Sequence, residues 1–207
     1  MDISKYLDEI LTLQRSYSRY LSLEMIKRND LINKRLPQRI RSELSRRHCP
    51  IEQPYLRTKG RTGTGLNAQV PMVHISDRRM SETPNKGWYV VLLFANDGRA
   101  VFASLNKYST VKKRRKGKFD IEPLPIDVMR RDRAWARGIL PSVEPPGPNP
   151  LFSSIDLGAT SPIAQAYQET HVTGFRYARG SVPNDEVLLA ELKFLLGLLI
   201  VLYGELP

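Results

Sequence analysis

Near the N-terminus, the apolar residues Ile3, Leu7, Ile10, Leu11, Leu13, Tyr17, Tyr20 and Leu21 recur at helical spacing, with Asp8, Glu9, Arg15 and Arg19 between them. This period predicts an amphipathic helix from Ile3 to Met25 whose apolar stripe must dock on something. The stretch from Ile26 to His48 is far more polar and carries Lys27, Arg28, Lys34, Arg35, Arg39, Arg41, Arg46 and Arg47. It reads either as a solvated helix face or as an arm that contacts phosphates.

Further on, the period changes to two. In "GWYVVLLF", Trp88, Val90, Leu92 and Phe94 fall on one face and Tyr89, Val91 and Leu93 on the other, because successive side chains of a strand point to opposite sides. Both faces are apolar, which predicts a central strand. Asn96, Asp97 and Gly98 tolerate positive φ and predict a hairpin turn into a partner strand from Arg99 to Leu105. "QVPMVHIS" gives a third strand, and the connection "DRRMSETPNK", with Arg78 and Arg79, is long for a hairpin and so a candidate functional loop. In "NKYSTVKKRRKGKFD", residues Lys112 to Lys118 hold six positive charges in seven positions. That run reads as a mobile, solvated loop or as a phosphate contact made by Lys112, Lys113, Arg114, Arg115 and Lys116.

The rest alternates helix and irregular chain. Asp127 to Leu140 predicts a helix with Val128, Met129, Trp135, Ile139 and Leu140 on its apolar side, and Pro141 to Pro150 is too proline-rich for regular structure. A short helix near Pro162 to Glu169, an extended "VTGFRY" and a final helix capped by Asn184 or Asp185 complete the chain. Phe194 to Tyr203 is ten apolar or aromatic residues, short of the roughly 20 that cross a bilayer, and reads as a buried helix with no membrane role. The whole predicts an α+β fold, a curved and mainly antiparallel sheet flanked by helices. It is a single domain, with an N-terminal helical segment over 1–48 and the main body over 49–207.

Composition adds the partner. The 207 residues are 41% hydrophobic, enough for one real core, and 32 lysines and arginines against 21 acids give a net charge of +11. Such a field favours a polyanion, nucleic acid before others. Cys49 is the single cysteine, which excludes an intrachain disulfide and a cysteine-rich zinc site and points to a reducing, cytoplasmic compartment. The N-terminus has acids where a secretory signal needs positive charge and an apolar run. His48, His74 and His171 are not spaced as metal ligands, and no nucleophile elbow is present. Asp120, Glu122 and Asp127 beside the lysine run are either a nuclease cluster or scattered acids. "GRTGTG", Gly60 to Gly65, has glycines like a phosphate loop but lacks the Gly-Lys-Ser/Thr ending and runs into a strand, not a helix. No nucleotide cofactor is therefore expected. What remains is a strand entry or a loop whose small residues approach a nucleic-acid backbone closely.

The order of these pieces resembles a known family. A glycine-rich turn, "NAQVP", a variable loop, "KGWYVVLLF", a D-G turn and "RAVFASLN", followed by "QAYQETHV" and "FRYARGSVPNDEVLLAELKFLL", resemble the MrcB-like N-terminal domain of modification-dependent restriction enzymes. The resemblance runs from about Lys59 onward and includes the N-terminal helix. It implies a module without catalysis of its own that binds double-stranded DNA and recognises a modified base, typically methylated cytosine, by swinging it into a pocket. By position, the pocket residues are Met72, Tyr89 and Leu93, the DNA-contacting loop is Gly63, Thr64, Gly65 and Asn67, and Arg61, Arg78 and Arg79 join the lysine run as phosphate contacts. The family often has an aromatic after Val-Pro where this chain has Met72, a softer wall. A fused or associated nuclease or NTPase subunit is the implied partner. The rival expectations are a sequence-tolerant RNA or DNA binder and a compact nuclease.

Overall fold

The computed structural model describes residues 2–81, 86–115 and 118–206. Its strands are β1 (Leu56–Arg61), β2 (Met72–Asp77), β3 (Trp88–Phe94), β4 (Ala100–Lys107), β5 (Thr110–Arg115), β6 (Lys118–Pro123) and β7 (His171–Ala178). Five of them form an open antiparallel sheet in the order β1-β2-β3-β4-β7, and β5 with β6 forms a separate two-stranded hairpin. The helices are α1 (Ile3–Gln14), α2 (Leu23–Asp30), α3 (Leu36–Arg46), α4 (Ile126–Ile139), α5 (Pro162–Glu169) and α6 (Asp185–Gly204). The fold is α+β with antiparallel pairing in both sheets, as the patterning predicts.

β3 is central and buried on both faces. Trp88, Val90, Leu92 and Phe94 enter the main core with α1, α3 and α6, while Tyr89, Val91 and Leu93 enter a smaller core with Met72, Phe102 and Ala164 of α5. The N-terminal helices thus lie on the sheet and share its main core. The turn forms as expected, with Gly98 at φ 68° and the Ala95 amide bonded to the Ala100 carbonyl at 3.0 Å. Asn184 caps α6 by accepting from the Val187 amide at 3.0 Å. Over its 20 residues α6 is long and apolar enough to cross a bilayer, yet its leucines at 188, 189, 192, 195, 196, 199 and 202 pack into the main core.

Three expectations are corrected. The helix expected over Ile3 to Met25 stops at Gln14, and a new one starts at Leu23 behind Ser22, whose hydroxyl accepts from the Met25 amide at 3.2 Å. Ser22 offers the backbone a cap that competes with helix continuation. Tyr20 and Leu21, expected in the apolar stripe, are 70% and 73% exposed. The polar helix after Ile26 is interrupted by a π-helical turn, Leu31–Arg35, in which the Leu36 amide reaches the Leu31 carbonyl. Pro37 follows at once and has no N–H to continue the α ladder. The lysine run, expected as a loop, is strand β5 from Thr110 to Arg115, because β6 sets Glu122 and Asp120 across from Val111 and Lys113. The Lys113 ammonium meets Glu122 at 2.7 Å. Strand β1 has no counterpart among the predicted elements.

Candidate nucleic-acid interface

β1 sorts its residues by parity. Thr58 donates to the Pro37 carbonyl at 2.8 Å, and Gly60 lies so close to the π turn that a Cβ there would fall 1.8 Å from the Ile32 oxygen. Those residues face the helices. Arg57, Lys59 and Arg61 are left on the opposite side, across from Ser76, His74 and Met72 of β2. Cations along an edge strand also discourage pairing with another sheet. His74 is buried among them, its ring centroid 4.4 Å from that of Tyr89. Burial first, then Arg57 and Arg61, push its pKa down to about 3, so it is neutral at physiological pH.

Beyond Arg61 the chain turns sharply. Gly63 has φ 111°, and a Cβ there would sit 2.0 Å from the Leu66 oxygen, so glycine is required. The Ala68 amide closes the turn on the Thr62 carbonyl at 2.7 Å. Gly63, Thr64, Gly65 and Leu66 form the exposed tip, with Leu66 41% accessible. Asn67 is buried and anchors that tip. Its amide donates to the Ser18 and Tyr20 carbonyls at 2.9 and 2.8 Å, and its oxygen accepts from Asn29 at 2.9 Å. The Tyr17 hydroxyl adds a bond to the Asn67 carbonyl at 3.0 Å. Asn67, expected among the DNA contacts, instead holds the turn against the α1–α2 link.

The turn stands over a cavity of about 460 Å³, within the range of small-ligand sites. Its lining includes Gly63 and Thr64 of the turn, Lys59 and Arg61 of β1, Val70 and Met72, and Ile163 and Tyr167 of α5. Thr110 and Ile121 add the β5–β6 hairpin to the lining. Met72, which the resemblance puts in the base pocket, lines this cavity. Tyr89 and Leu93 share its face but are fully buried in the layer beneath, and the Tyr89 hydroxyl donates to the Lys107 carbonyl at 3.2 Å. The aromatic ring at the wall is Tyr167, whose hydroxyl is pushed up to about 12 by burial.

The hairpin is two-faced. Directly opposed residues of an antiparallel pair share a face, so Thr110, Lys112 and Arg114 lie with Ile121, on the side that reaches the cavity. Lys113 lies with Asp120 and Glu122 on the other side. Lys112 and Arg114 are exposed. Arg115 belongs to β5, and Lys116 lies outside the described residues. Arg78 is exposed and lines a separate cleft with Arg41 and Arg57. Arg79 is held by Asp77, Nε to Oδ1 at 3.0 Å, and lies 3.8 Å from the Tyr55 ring centre, so its charge is already partnered.

Sequence reasoning missed Arg57, Lys59 and Tyr167. The alternation in "RTKGR" carried the signal for the first two; nothing local distinguished Tyr167. Among the described residues no group of three or more His, Cys, Asp or Glu side chains could hold a metal ion. A family model described as "MrcB-like, N-terminal domain" matches residues 12–204 of the chain. No curated protein and no solved structure matches it.

Proposed function

The chain belongs to the MrcB-like N-terminal domain family, DNA-binding modules of McrB-type restriction systems, and we propose that it selects duplexes containing a modified base, methylated cytosine in the first instance, by extruding that base into the cavity under the glycine turn. The observation that carries this reading is the convergence of the exposed Gly63–Thr64 turn, Met72 and the Tyr167 ring on one cavity that Lys59 and Arg61 also line.

The energetics fit. Extrusion costs a few kcal/mol of lost stacking and pairing, and stacking on an aromatic ring returns about 1–3 kcal/mol per base. Phosphate contacts by Lys112, Arg114, Lys59 and Arg57 supply the remainder without sequence preference. Leu66, exposed at the tip, is placed to fill the gap that the departed base leaves in the stack, as apolar wedges do in other DNA-bending proteins. Cleavage then belongs to a nuclease or NTPase, fused or associated.

Competition binding at fixed salt tests this against binding by charge alone. A duplex with one 5-methylcytosine should outcompete its unmodified twin at least about tenfold, which is about 1.4 kcal/mol. Equal affinities contradict the proposal and leave a sequence-tolerant binder.

A further inference from the structure

Arg61 differs from the other cations of the interface. Its side chain lines the cavity, yet its Nε is buried with no hydrogen-bond partner. Its charge acts on three neighbours, disfavouring protonation of His74 and favouring ionisation of the Tyr89 and Tyr167 hydroxyls. Its charge therefore lies near those three rings, beside the cavity that its side chain lines. Lys59 lines the same cavity, and the described lining contains no aspartate or glutamate. Among the described residues no ion pair involves Arg61.

A guanidinium whose Nε is buried without a partner, and which has no described acid beside it, presents unused donors that an anion can satisfy. Its planar fork of N–H donors matches a carboxylate in two parallel bonds, which a lysine cannot reproduce. The apolar walls, Val70, Met72, Ile163 and Tyr167, suit a flat ring. A methyl substituent would touch those walls and leave Arg61 without a partner.

Resting on the extrusion reading above, we propose that the cavity is built for a base carrying an anionic substituent, with 5-carboxylcytosine as the prototype, and that Arg61 is the residue that reads its carboxylate. A backbone phosphate offers the same oxyanion chemistry, so the test must separate the two sources.

Equilibrium binding is measured at fixed salt, and again across a salt series, with duplexes bearing one cytosine, 5-methylcytosine, 5-hydroxymethylcytosine or 5-carboxylcytosine. Wild type, Arg61→Gln and Arg61→Lys are compared. The wild type should bind the carboxyl duplex at least about tenfold more tightly than the methyl duplex. Arg61→Gln should shrink that margin to about twofold or less, with Arg61→Lys in between because it keeps charge but loses the fork. A wild type that prefers methyl to plain cytosine but not carboxyl to methyl overturns this inference and leaves the extrusion reading standing. If no modified duplex is preferred to plain, the extrusion reading falls with it. If Arg61→Gln weakens every duplex alike and flattens the salt dependence, Arg61 holds a phosphate and the inference is overturned. The wild-type comparison decides the matter even if a variant does not fold.

Discussion

At Asn67 both amide hydrogens are already taken, by the carbonyls of Ser18 and Tyr20, and the oxygen accepts from Asn29. The residue beside the turn is thus a bracket, and Thr64 and Leu66 are the exposed side chains of the tip. A similar division holds for the two tyrosines of the smaller core. Tyr89 is fully buried against His74 and its ring is blocked from stacking, whereas Tyr167 reaches the cavity. Replacing Tyr167 by alanine should therefore reduce discrimination between modified and plain duplexes by about 1–3 kcal/mol with little change in affinity for plain DNA. Replacing Tyr89 by alanine should instead cost about 3–5 kcal/mol of stability, as for other large buried side chains. Paired binding and urea-unfolding measurements on both variants check this, and a Tyr89 variant of normal stability that alone loses discrimination would reverse the assignment.

Among elements, the β5–β6 hairpin does most to connect charge with geometry. Its register puts Lys112 and Arg114 on the cavity side and pairs Lys113 with Glu122 on the other. Changing Lys112 and Arg114 together to glutamine should lower the magnitude of the salt slope of DNA binding by about 2, one for each phosphate that is no longer neutralised. Lys113→Gln should leave it nearly unchanged; a salt titration in which Lys113→Gln has the larger effect would mean that the hairpin meets DNA with its other face. The sequence could not announce this element as a strand, because the lysine run alone looks like solvated chain and only the partner strand, with Asp120 and Glu122, reveals the compensation. β1 was hidden for a related reason: as an edge strand its alternation is of cations against Leu56, Thr58 and Gly60, not of apolar against polar residues. The central strands, the D-G turn, α5 and the capped α6 were legible because local propensity and burial agree there. The cavity was half legible. Met72 and the glycine turn lie close in sequence, while Tyr167 arrives from nearly a hundred residues away, on a helix whose own pattern says nothing about DNA.

For the whole molecule, the +11 charge supplies attraction for the duplex but no choice of base. Its buried histidines set a pH limit on stability. Burial holds His74 to a pKa of about 3 and His171 to about 4, against an ordinary value of 6.5. Both stay neutral in the fold, while the unfolded chain takes up protons below about 6.5. Stability is therefore lost as pH falls through that window, by up to about 1.4 kcal/mol per pH unit for each histidine. The urea midpoint should be clearly lower near pH 5 than near pH 7; equal midpoints would mean that one or both histidines can charge inside the fold. Recognition itself is tested most directly by the stacking state of the DNA. A duplex with 2-aminopurine beside a 5-methylcytosine is titrated with the protein, and its unmodified twin serves as the control. The account predicts a rise in fluorescence on binding the modified duplex, as the neighbouring base leaves the stack, and a much smaller one with the twin or with the Tyr167→Ala variant. Fluorescence that stays quenched while the modified duplex is fully bound would contradict base extrusion.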